Sequence, residues 1–127
     1  MWLGDLSLHV CLSGQLPYFS ISYRKTTTKK ILTYFRNNGA VPNIFTREGG
    51  QSQLWTFNND GTIAAYDGRM CLDVKGGAGE DVQVWECSGG DSQRWERFKE
   101  LGIKWVNSNR CLENIPGGTV KLRDCDK

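Results

Sequence analysis

Apolar and polar residues alternate in short runs along most of the chain. The clearest run is 82–87, VQVWEC, where an extended strand would send the two valines to one face and Gln83 and Trp85 to the other. Alternation with a period of two favours strands over helices. Turn sequences separate the runs: NNDG at 58–61 precedes a strand at 62–65, and Asp67-Gly68 joins it to a return strand at 70–74. The pattern predicts an all-β chain of short strands.

The strand pattern repeats with a period of about 40 residues. Trp55 and Trp95 are separated by this distance, as are Cys71 and Cys111. The same shift superposes other pairs: Gly49-Gly50 and Gly89-Gly90, Gln53 and Gln93, Leu32 and Leu72, Leu72 and Leu112, Ile44 and Val84, and Ile63 and Ile103. After a two-residue deletion, TVKLRDC at 119–125 lies over DVQVWEC at 81–87. A period of this length indicates a repeat architecture.

Roughly three units must share one core, because a four-strand unit has a single apolar face that its neighbours must cover. Propellers need about four to eight blades to close, so three units predict a threefold, barrel-like closure instead. The predicted core recurs in threes: Tyr23, Ile63 and Ile103; Leu32, Leu72 and Leu112; Ile44, Val84 and Leu122; with Trp55 and Trp95 from the closing strands.

Both ends of the chain depart from the repeat. The stretch DLSLHVC at 5–11 resembles DVQVWEC and TVKLRDC, and 12–19 could form a shortened closing strand. Cys125 precedes only two residues, so the last unit has no Gln-x-Trp strand. Either the amino-terminal strands supply it, as in a circular permutation, or the unit is truncated. We predict one domain over 1–127, with an irregular first segment 1–22 and units 23–57, 58–98 and 99–127, the last incomplete.

Size and charge narrow the function classes. A chain of 127 residues suits one domain, and 15 Gly with 14 aromatic residues suits short strands joined by many turns. The net charge of +2 and pI of about 8.3 are too mild to indicate nucleic acid, for which a pI above roughly 9 is expected. No apolar run approaches the roughly 20 residues that cross a bilayer. Asp5 and His9 stand where a signal peptide would be basic and then apolar, so we expect a mature or excised fragment or another export route.

Three motifs together resemble one family. CLDV at 71–74, VQVWEC at 82–87 and Gln-x-Trp at 93–95, at a period of 40, are similar to the ricin B-type, or Gln-x-Trp, β-trefoil lectins. The resemblance is strong over 61–125, fair over 23–57 and poor over the first 19 residues. It implies a twelve-stranded β-trefoil whose repeats each can carry a shallow sugar site, usually for galactose or N-acetylgalactosamine.

The resemblance places the sugar site in 71–95. Asp73 matches the carboxylate that accepts hydrogen bonds from two adjacent sugar hydroxyls, and Trp85 matches the aromatic platform for the C–H face of a pyranose. Gln83 and Gln93 match polar positions that orient the carboxylate, and Ser92 stands where many members have Asn. Taken singly, Asp73 could instead hold the glycine-rich loop and Trp85 could be half-buried packing. Together in this register they favour a site.

The other units lack this set of residues. In the last unit the corresponding positions are Glu113, Lys121 and Arg123, and we expect no sugar site there. In the first unit Thr33 replaces the carboxylate, although Phe45 keeps the aromatic residue and Gln53 the glutamine. A neutral hydroxyl cannot replace the paired acceptors of a carboxylate, so weak binding or none is expected.

The cysteines predict two disulfides, each joining consecutive strands of one unit: Cys71–Cys87 and Cys111–Cys125. The first unit supports this pairing. The positions equivalent to Cys71 and Cys87 are occupied there by Ile31 and Arg47, so both cysteines of a pair are absent together. Disulfides indicate an oxidising compartment, and we therefore expect an extracellular or secreted protein. Cys11 is left without a partner. The cysteines show no zinc spacing, so neither a metal nor a cofactor is predicted.

The predicted function is non-catalytic binding of glycans or glycoproteins. His9 and Cys11 could face one side of a strand, but no third group is present to orient the imidazole. The acidic residues of the site unit surround turns, and nothing places two of them across a cleft for glycoside hydrolysis. Two alternatives remain: a protein-binding trefoil, such as a protease inhibitor or toxin targeting subunit, and the binding portion of a larger enzyme. A catalytic or toxin partner domain or chain is compatible with each.

Overall fold

The computed structural model describes residues 6–10, 18–23, 30–35, 37–46, 50–77, 79–98, 102–115 and 119–125. These ranges contain twelve strands: β1 Leu6–Val10, β2 Phe19–Tyr23, β3 Lys30–Thr33, β4 Asn43–Thr46, β5 Trp55–Phe57, β6 Ile63–Ala65, β7 Met70–Val74, β8 Val82–Glu86, β9 Trp95–Phe98, β10 Gly102–Trp105, β11 Arg110–Ile115 and β12 Thr119–Asp124. Three single-turn 3-10 helices lie at Gln51–Gln53, Lys75–Gly77 and Asp91–Gln93. The predicted all-β class is confirmed. None of the helices in the described ranges is long and apolar enough to cross a membrane.

The strands group into three lobes that follow the 40-residue repeat. The first lobe comprises β2–β5, the second β6–β9 and the third β10–β12. In each lobe the second and third strands form an antiparallel hairpin: β3 with β4, β7 with β8, and β11 with β12. The closing strand then pairs with the first strand of the next lobe, as β5 does with β6 and β9 with β10. The repeat in the sequence is therefore a repeat in strand pairing. The first lobe begins at Phe19, four positions before the unit predicted from residue 23.

The amino-terminal strand β1 occupies the closing position of the third lobe. It pairs with β2 over its whole length, from Leu6 opposite Tyr23 to Val10 opposite Phe19, as β5 pairs with β6 and β9 with β10. It also contacts β10 and β11 of the third lobe. Although 5–11 resembles the third strand of a unit, the chain uses β1 as a fourth strand, which is the arrangement of a circular permutation. The alternative closing strand at 12–19 falls largely on residues that are not described.

The core is built from equivalent residues of the three lobes. The predicted leucines Leu32, Leu72 and Leu112 are buried, as are Ile63, Ile103, Val84, Leu122, Trp55 and Trp95. The structure does not describe the side chains of Tyr23 and Ile44, which were also predicted to lie in the core. Ile21 of β2 is fully buried. The buried side chains form one apolar cluster that spans all three lobes. The hairpins rest on this common core, which fixes their positions relative to one another.

The two closing-strand tryptophans make the same contact in different lobes. Trp55 Nε1 donates to the Leu32 carbonyl at 3.1 Å, and Trp95 Nε1 donates to the Leu72 carbonyl at 3.2 Å. Burying one such side chain contributes on the order of 4 to 6 kcal/mol of transfer free energy. Because the indole N–H is paired, the burial does not leave an unsatisfied donor. Each tryptophan thus ties its closing strand to the hairpin of its own lobe.

Both predicted disulfides are present. Cys71–Cys87 links β7 to the end of β8 across 16 residues, and Cys111–Cys125 links β11 to the end of β12 across 14 residues. The Cα atoms lie 5.0 and 5.1 Å apart, within the range that a disulfide spans. Loops of this length contribute about 3 kcal/mol each in the chain-entropy account. Cys11, predicted to lack a partner, lies outside the described residues.

Candidate functional site

The β7–β8 hairpin brings the predicted site residues to one face. Asp73 lies opposite Gln83 and Cys71 lies opposite Trp85, so the three polar or aromatic residues share the outward face. Leu72 and Val84 alternate with them and are fully buried in the core. Trp85 is the diagonal neighbour of Asp73, a relationship that sets Cα atoms about 7 to 8 Å apart. That separation suits a carboxylate and an indole contacting one small ring together.

Gln93 holds the carboxylate from the side. It ends the 3-10 turn Asp91–Gln93 and is 1% exposed. Its Nε2 donates to Asp73 Oδ2 at 2.7 Å and to the Glu86 carbonyl at 3.0 Å. Its Oε1 accepts from the backbone N–H of Ser88 at 2.7 Å and, more weakly, of Gly89 at 3.3 Å. All the hydrogen-bonding groups of this buried amide are used, so Asp73 and the loop after β8 are fixed to one another.

The other carboxylate oxygen of Asp73, Oδ1, makes a longer contact. Gln83 Nε2 lies 3.4 Å from Asp73 Oδ1, beyond the usual length of an N–H···O bond. A carboxylate offers about four lone-pair positions, and only the Gln93 amide uses one of them at ordinary hydrogen-bond length. Asp73 is 7% exposed, which places the remaining acceptor capacity in a protected position close to the surface.

The Trp85 side chain is exposed at the surface, although the backbone of its strand is hydrogen-bonded to a segment of the first lobe. The indole is 44% exposed. Segment 37–40 of the first lobe runs along the outer edge of β8: Gly39 N donates to the Val84 carbonyl at 2.8 Å, and Val84 N donates to the Ala40 carbonyl at 2.9 Å. A Cβ placed at Gly39 would lie 3.8 Å from Trp85 Cζ3 and 3.9 Å from Gln83 Oε1. Segment 37–40 is therefore a side wall of the site.

Ser92 is half-buried in the same 3-10 turn as Gln93. The turn is also held from the third lobe, because Trp105 Nε1 donates to the Asp91 carbonyl at 2.8 Å. Asp73, Gln83 and Gln93 are thus joined by hydrogen bonds, Trp85 shares their face, and Ser92 borders them through the turn. Sequence reasoning missed Trp105 and segment 37–40, which lie in other units. For the segment a signal was present, because Gly39 and Gly79 are 40 residues apart and both have positive φ.

The corresponding face of the third lobe is occupied by ion pairs. Lys121 and Arg123 of β12 stand where the second lobe has Gln83 and Trp85. Lys121 Nζ lies 2.6 Å from Asp81 Oδ1, and Arg123 Nη1 lies 3.0 Å from Glu80 Oε1. The hydrogen bond and charge of Lys121 hold the pKa of the Asp81 carboxyl below its usual range. Residues 79–81 of the second lobe therefore cover β12 as segment 37–40 covers β8, but with salt bridges on the outward face.

The first lobe keeps the glutamine without the acid. Gln53 is 3% exposed, and its Nε2 donates to Thr33 Oγ1 at 3.1 Å, in the position of the bond between Gln93 and Asp73. The side chain of Phe45 is not described.

Within the described ranges, no group of three or more His, Cys, Asp or Glu residues is placed to hold a metal ion.

Comparison with known proteins agrees with this architecture. The family model of the ricin-type beta-trefoil lectin domain matches residues 19–127. The structure of a Vibrio vulnificus hemolysin/cytolysin beta-trefoil lectin, solved with N-acetyl-D-lactosamine bound, is similar with a TM-score of 0.70 at 16% identity, over 84% of each chain. A designed threefold symmetric protein, ThreeFoil, is similar with a TM-score of 0.72 at 22% identity, over 84% of this chain and 89% of that one. These likenesses confirm the predicted β-trefoil fold.

One curated relative shares part of the sequence. Serine protease 1 of Rarobacter faecitabidus is 46% identical over 44 residues, which make up 33% of this chain and 8% of the protease. The match therefore spans only a small part of the length of the protease.

Proposed function

The chain belongs to the ricin-type β-trefoil lectin family, a family of carbohydrate-binding domains, and from this premise we propose that it binds glycans through one site, in the second lobe. Asp73, Gln83, Trp85, Ser92 and Gln93 form that site. The observation that carries the proposal is the pairing of a protected carboxylate with a half-exposed indole on one face of the β7–β8 hairpin.

Asp73 is the hydrogen-bond acceptor of the proposed site. Two adjacent sugar hydroxyls donate to its free lone pairs while Gln93 holds Oδ2 in place. Charge-assisted hydrogen bonds of this type are short and about twice as strong as neutral ones. Because the Gln93 amide is itself held by two backbone N–H groups, the carboxylate does not have to be ordered when the sugar binds.

Trp85 is the stacking surface. The apolar C–H face of a pyranose covers the exposed part of the indole and removes apolar area from water. Gln83, beside it on the same strand face, supplies an amide at the rim. Galactose and N-acetylgalactosamine are the proposed sugars on the strength of the motif. Ser92, in place of Asn, presents one short hydroxyl where an amide would supply two donors and an acceptor, which weakens contact with the sugar at that edge.

The site is single because the equivalent faces differ in chemistry. In the third lobe, Lys121 and Arg123 are engaged with Asp81 and Glu80 across the lobe boundary. In the first lobe, a threonine hydroxyl replaces the carboxylate. One shallow site gives weak affinity on its own, and useful avidity then requires several copies on a surface or partner.

The test is retention on immobilised galactose and N-acetylgalactosamine. Asp73→Asn keeps the shape of the side chain and removes its charge, and Trp85→Ala removes the stacking surface. Both variants should lose retention while the far-ultraviolet circular dichroism and thermal midpoint stay near those of the parent. Asp124→Asn, on the exposed end of β12, is the matched control and should be retained fully. Unchanged retention of Asp73→Asn would refute the site assignment.

We also propose that the chain is a non-catalytic binding module that acts outside the cell beside a catalytic or toxin partner, either a further domain or another chain. The partial match to a serine protease, of which it covers 8%, supports an association with catalytic domains. The two disulfides support an oxidising compartment. Purified protein should bind glycans without cleaving protein or glycoside substrates, and turnover that survives Asp73→Asn would contradict the proposal.

A further inference from the structure

The first and second lobes each carry a single-turn 3-10 helix just before the closing strand. The two turns, Gln51–Gln53 and Asp91–Gln93, both follow a glycine in extended backbone and end at a buried glutamine. In the first lobe Leu54 N donates to the first carbonyl of the turn at 3.1 Å. In the second lobe Arg94 N lies 3.4 Å from the corresponding carbonyl, beyond the usual length of an N–H···O bond. The backbone of the second-lobe turn therefore closes it more weakly.

A tryptophan of the third lobe supplies a shorter bond to the same carbonyl. Trp105 Nε1 donates to the Asp91 carbonyl at 2.8 Å. Trp105 lies in β10 directly opposite Trp95. The equivalent position in the first lobe, opposite Trp55, is occupied by Ala65. Because an alanine methyl cannot donate a hydrogen bond, the first-lobe turn receives no such bond from that position.

The Trp105 indole is itself held in place. Its side chain is partly buried and packs against the apolar core. The chain then continues beside the second-lobe turn, where Val106 N donates to the Arg94 carbonyl at 3.0 Å. Ser108 Oγ donates to the Trp105 carbonyl at 2.7 Å and closes the turn that follows β10. A donor fixed in this way holds the 3-10 turn in one position before a ligand arrives, which lowers the ordering cost of binding.

The 3-10 turn connects this indole to the candidate sugar site. Gln93, at the end of the turn that Asp91 begins, donates to Asp73 Oδ2 at 2.7 Å. Ser92 lies between the two ends of the turn. The turn also contacts β7, the strand that carries Asp73. A shift of the turn would therefore move both the amide that holds the carboxylate and the Ser92 hydroxyl.

We propose that Trp105 is a positioning residue for sugar binding, and that the third lobe sets the affinity of the second-lobe site through the hydrogen bond to the Asp91 carbonyl. This inference rests on the proposed function of the Asp73 site. Trp105 acts through Gln93 and needs no contact with the sugar. Trp55 offers the matched comparison, because it makes an indole hydrogen bond to a carbonyl in the lobe that lacks the carboxylate.

The test compares Trp105→Phe with Trp55→Phe. Each substitution keeps an aromatic ring and removes one indole N–H, from the Asp91 carbonyl in the first and from the Leu32 carbonyl in the second. Titration with methyl β-galactoside should show an affinity about threefold weaker for Trp105→Phe, within the range expected for one hydrogen bond, and unchanged for Trp55→Phe. Urea unfolding should show the larger loss of stability in Trp55→Phe, because Trp55 is fully buried and Trp105 only partly.

A measurement on the sugar-free protein follows the turn directly. The ¹H–¹⁵N signals of the Gln93 side-chain amide should shift in Trp105→Phe, because that substitution releases the turn that ends at Gln93. The same signals should change much less in Trp55→Phe, whose lost hydrogen bond lies in the first lobe. A purely structural role of Trp105 would lower stability without moving these signals.

The outcomes separate the role of Trp105 from the proposed function. If the parent binds methyl β-galactoside and Trp105→Phe binds it equally well, the positioning role is overturned and the Asp73 site stands. Equal weakening in both variants would attribute the loss to global stability and would also overturn that role. So would a weaker affinity of Trp105→Phe with unchanged Gln93 signals, because Trp105 would then not act through the turn. If the parent does not bind the sugar, the proposed galactose site fails, and the role of Trp105 in binding fails with it.

Discussion

Gln93 Nε2 donates a 2.7 Å hydrogen bond to Asp73 Oδ2, between residues that lie 20 positions apart in the second lobe. In the first lobe Gln53 makes the equivalent bond to the Thr33 hydroxyl at 3.1 Å. The glutamine is thus kept in a lobe that has lost the acid. It serves the scaffold in both lobes, and only in the second does it also position a carboxylate.

These two hydrogen bonds predict that replacing either glutamine lowers stability, but that replacing only one of them lowers sugar binding. Gln93→Ala and Gln53→Ala should each lower the free energy of unfolding by about 1 to 3 kcal/mol, because each removes a buried hydrogen-bonding side chain from its partners. Only Gln93→Ala should also reduce retention on galactose, since Gln53 lies in the lobe without the carboxylate. Urea unfolding and galactose affinity, measured on both variants, check the prediction. Equal loss of binding in the two variants would show that the effect is one of global stability.

A second prediction concerns Gly39, which forms the side wall next to Trp85. Gly39 and Gly68 have φ of 86° and 77°, a region where a side chain costs roughly 1 to 2 kcal/mol. A Cβ at Gly39 would meet Trp85 and Gln83 at 3.8 and 3.9 Å, whereas a Cβ at Gly68 would meet nothing within 4 Å. Gly39→Ala and Gly68→Ala should therefore lose similar stability.

Sugar affinity should distinguish these two glycine variants. Gly39→Ala narrows the space beside the indole and is expected to change galactose affinity, while Gly68→Ala should leave it unaltered. Thermal unfolding and titration with methyl β-galactoside provide the two measurements. An unchanged affinity for Gly39→Ala would mean that the sugar does not approach segment 37–40.

The repeat predicts where the candidate residues of the second lobe lie because these residues belong to one unit. Asp73, Gln83 and Trp85 fall on one face of two strands whose alternation is visible in the sequence, and the Cys71–Cys87 disulfide joins the same two strands. The contributions of Asn38 and Trp105 could not be found in this way. Each reaches the site from another lobe, through hydrogen bonds to backbone atoms of Glu86 and Asp91 that depend on how the lobes pack.

The ion pair between Asp81 and Lys121 predicts a pH-dependent difference in stability. Lys121 lowers the pKa of Asp81 in the folded chain, so the pair stabilises the fold above the ordinary aspartate pKa of about 3.9, and this contribution is lost as the pH falls through the lower, folded-state value. Lys121→Gln should accordingly unfold at a lower urea concentration than the parent at pH 7. The difference should shrink in 1 M NaCl, which screens exposed charges.

Urea midpoints of the parent and Lys121→Gln from pH 2 to pH 7 test this account. The two curves should approach each other towards the acidic end, because protonation of Asp81 removes its attraction to Lys121 in the parent. A gap that persists unchanged at pH 2 would attribute the loss to packing of the lysine stem instead of its charge.

The place of β1 leads to a prediction about chain order. β1 pairs with β2 from Leu6 to Val10 as the closing strands of the other lobes pair with the strand that follows, and it contacts β10 and β11. Deleting residues 1–10 should expose the edge of β2 and leave the third lobe without a fourth strand, which favours aggregation. Moving residues 1–17 behind residue 127 through a flexible linker should keep the fold, because the strand reaches the same position from the other end and such rearrangements are tolerated at surface connections.

Monomer content by size-exclusion chromatography, thermal midpoint and galactose retention distinguish these outcomes. The permuted protein should stay monomeric and bind galactose like the parent, since the β7–β8 hairpin is unchanged. The deletion variant should aggregate or unfold at a lower temperature. If the deletion variant matches the parent in all three measurements, β1 is an accessory strand, and the third lobe closes without it.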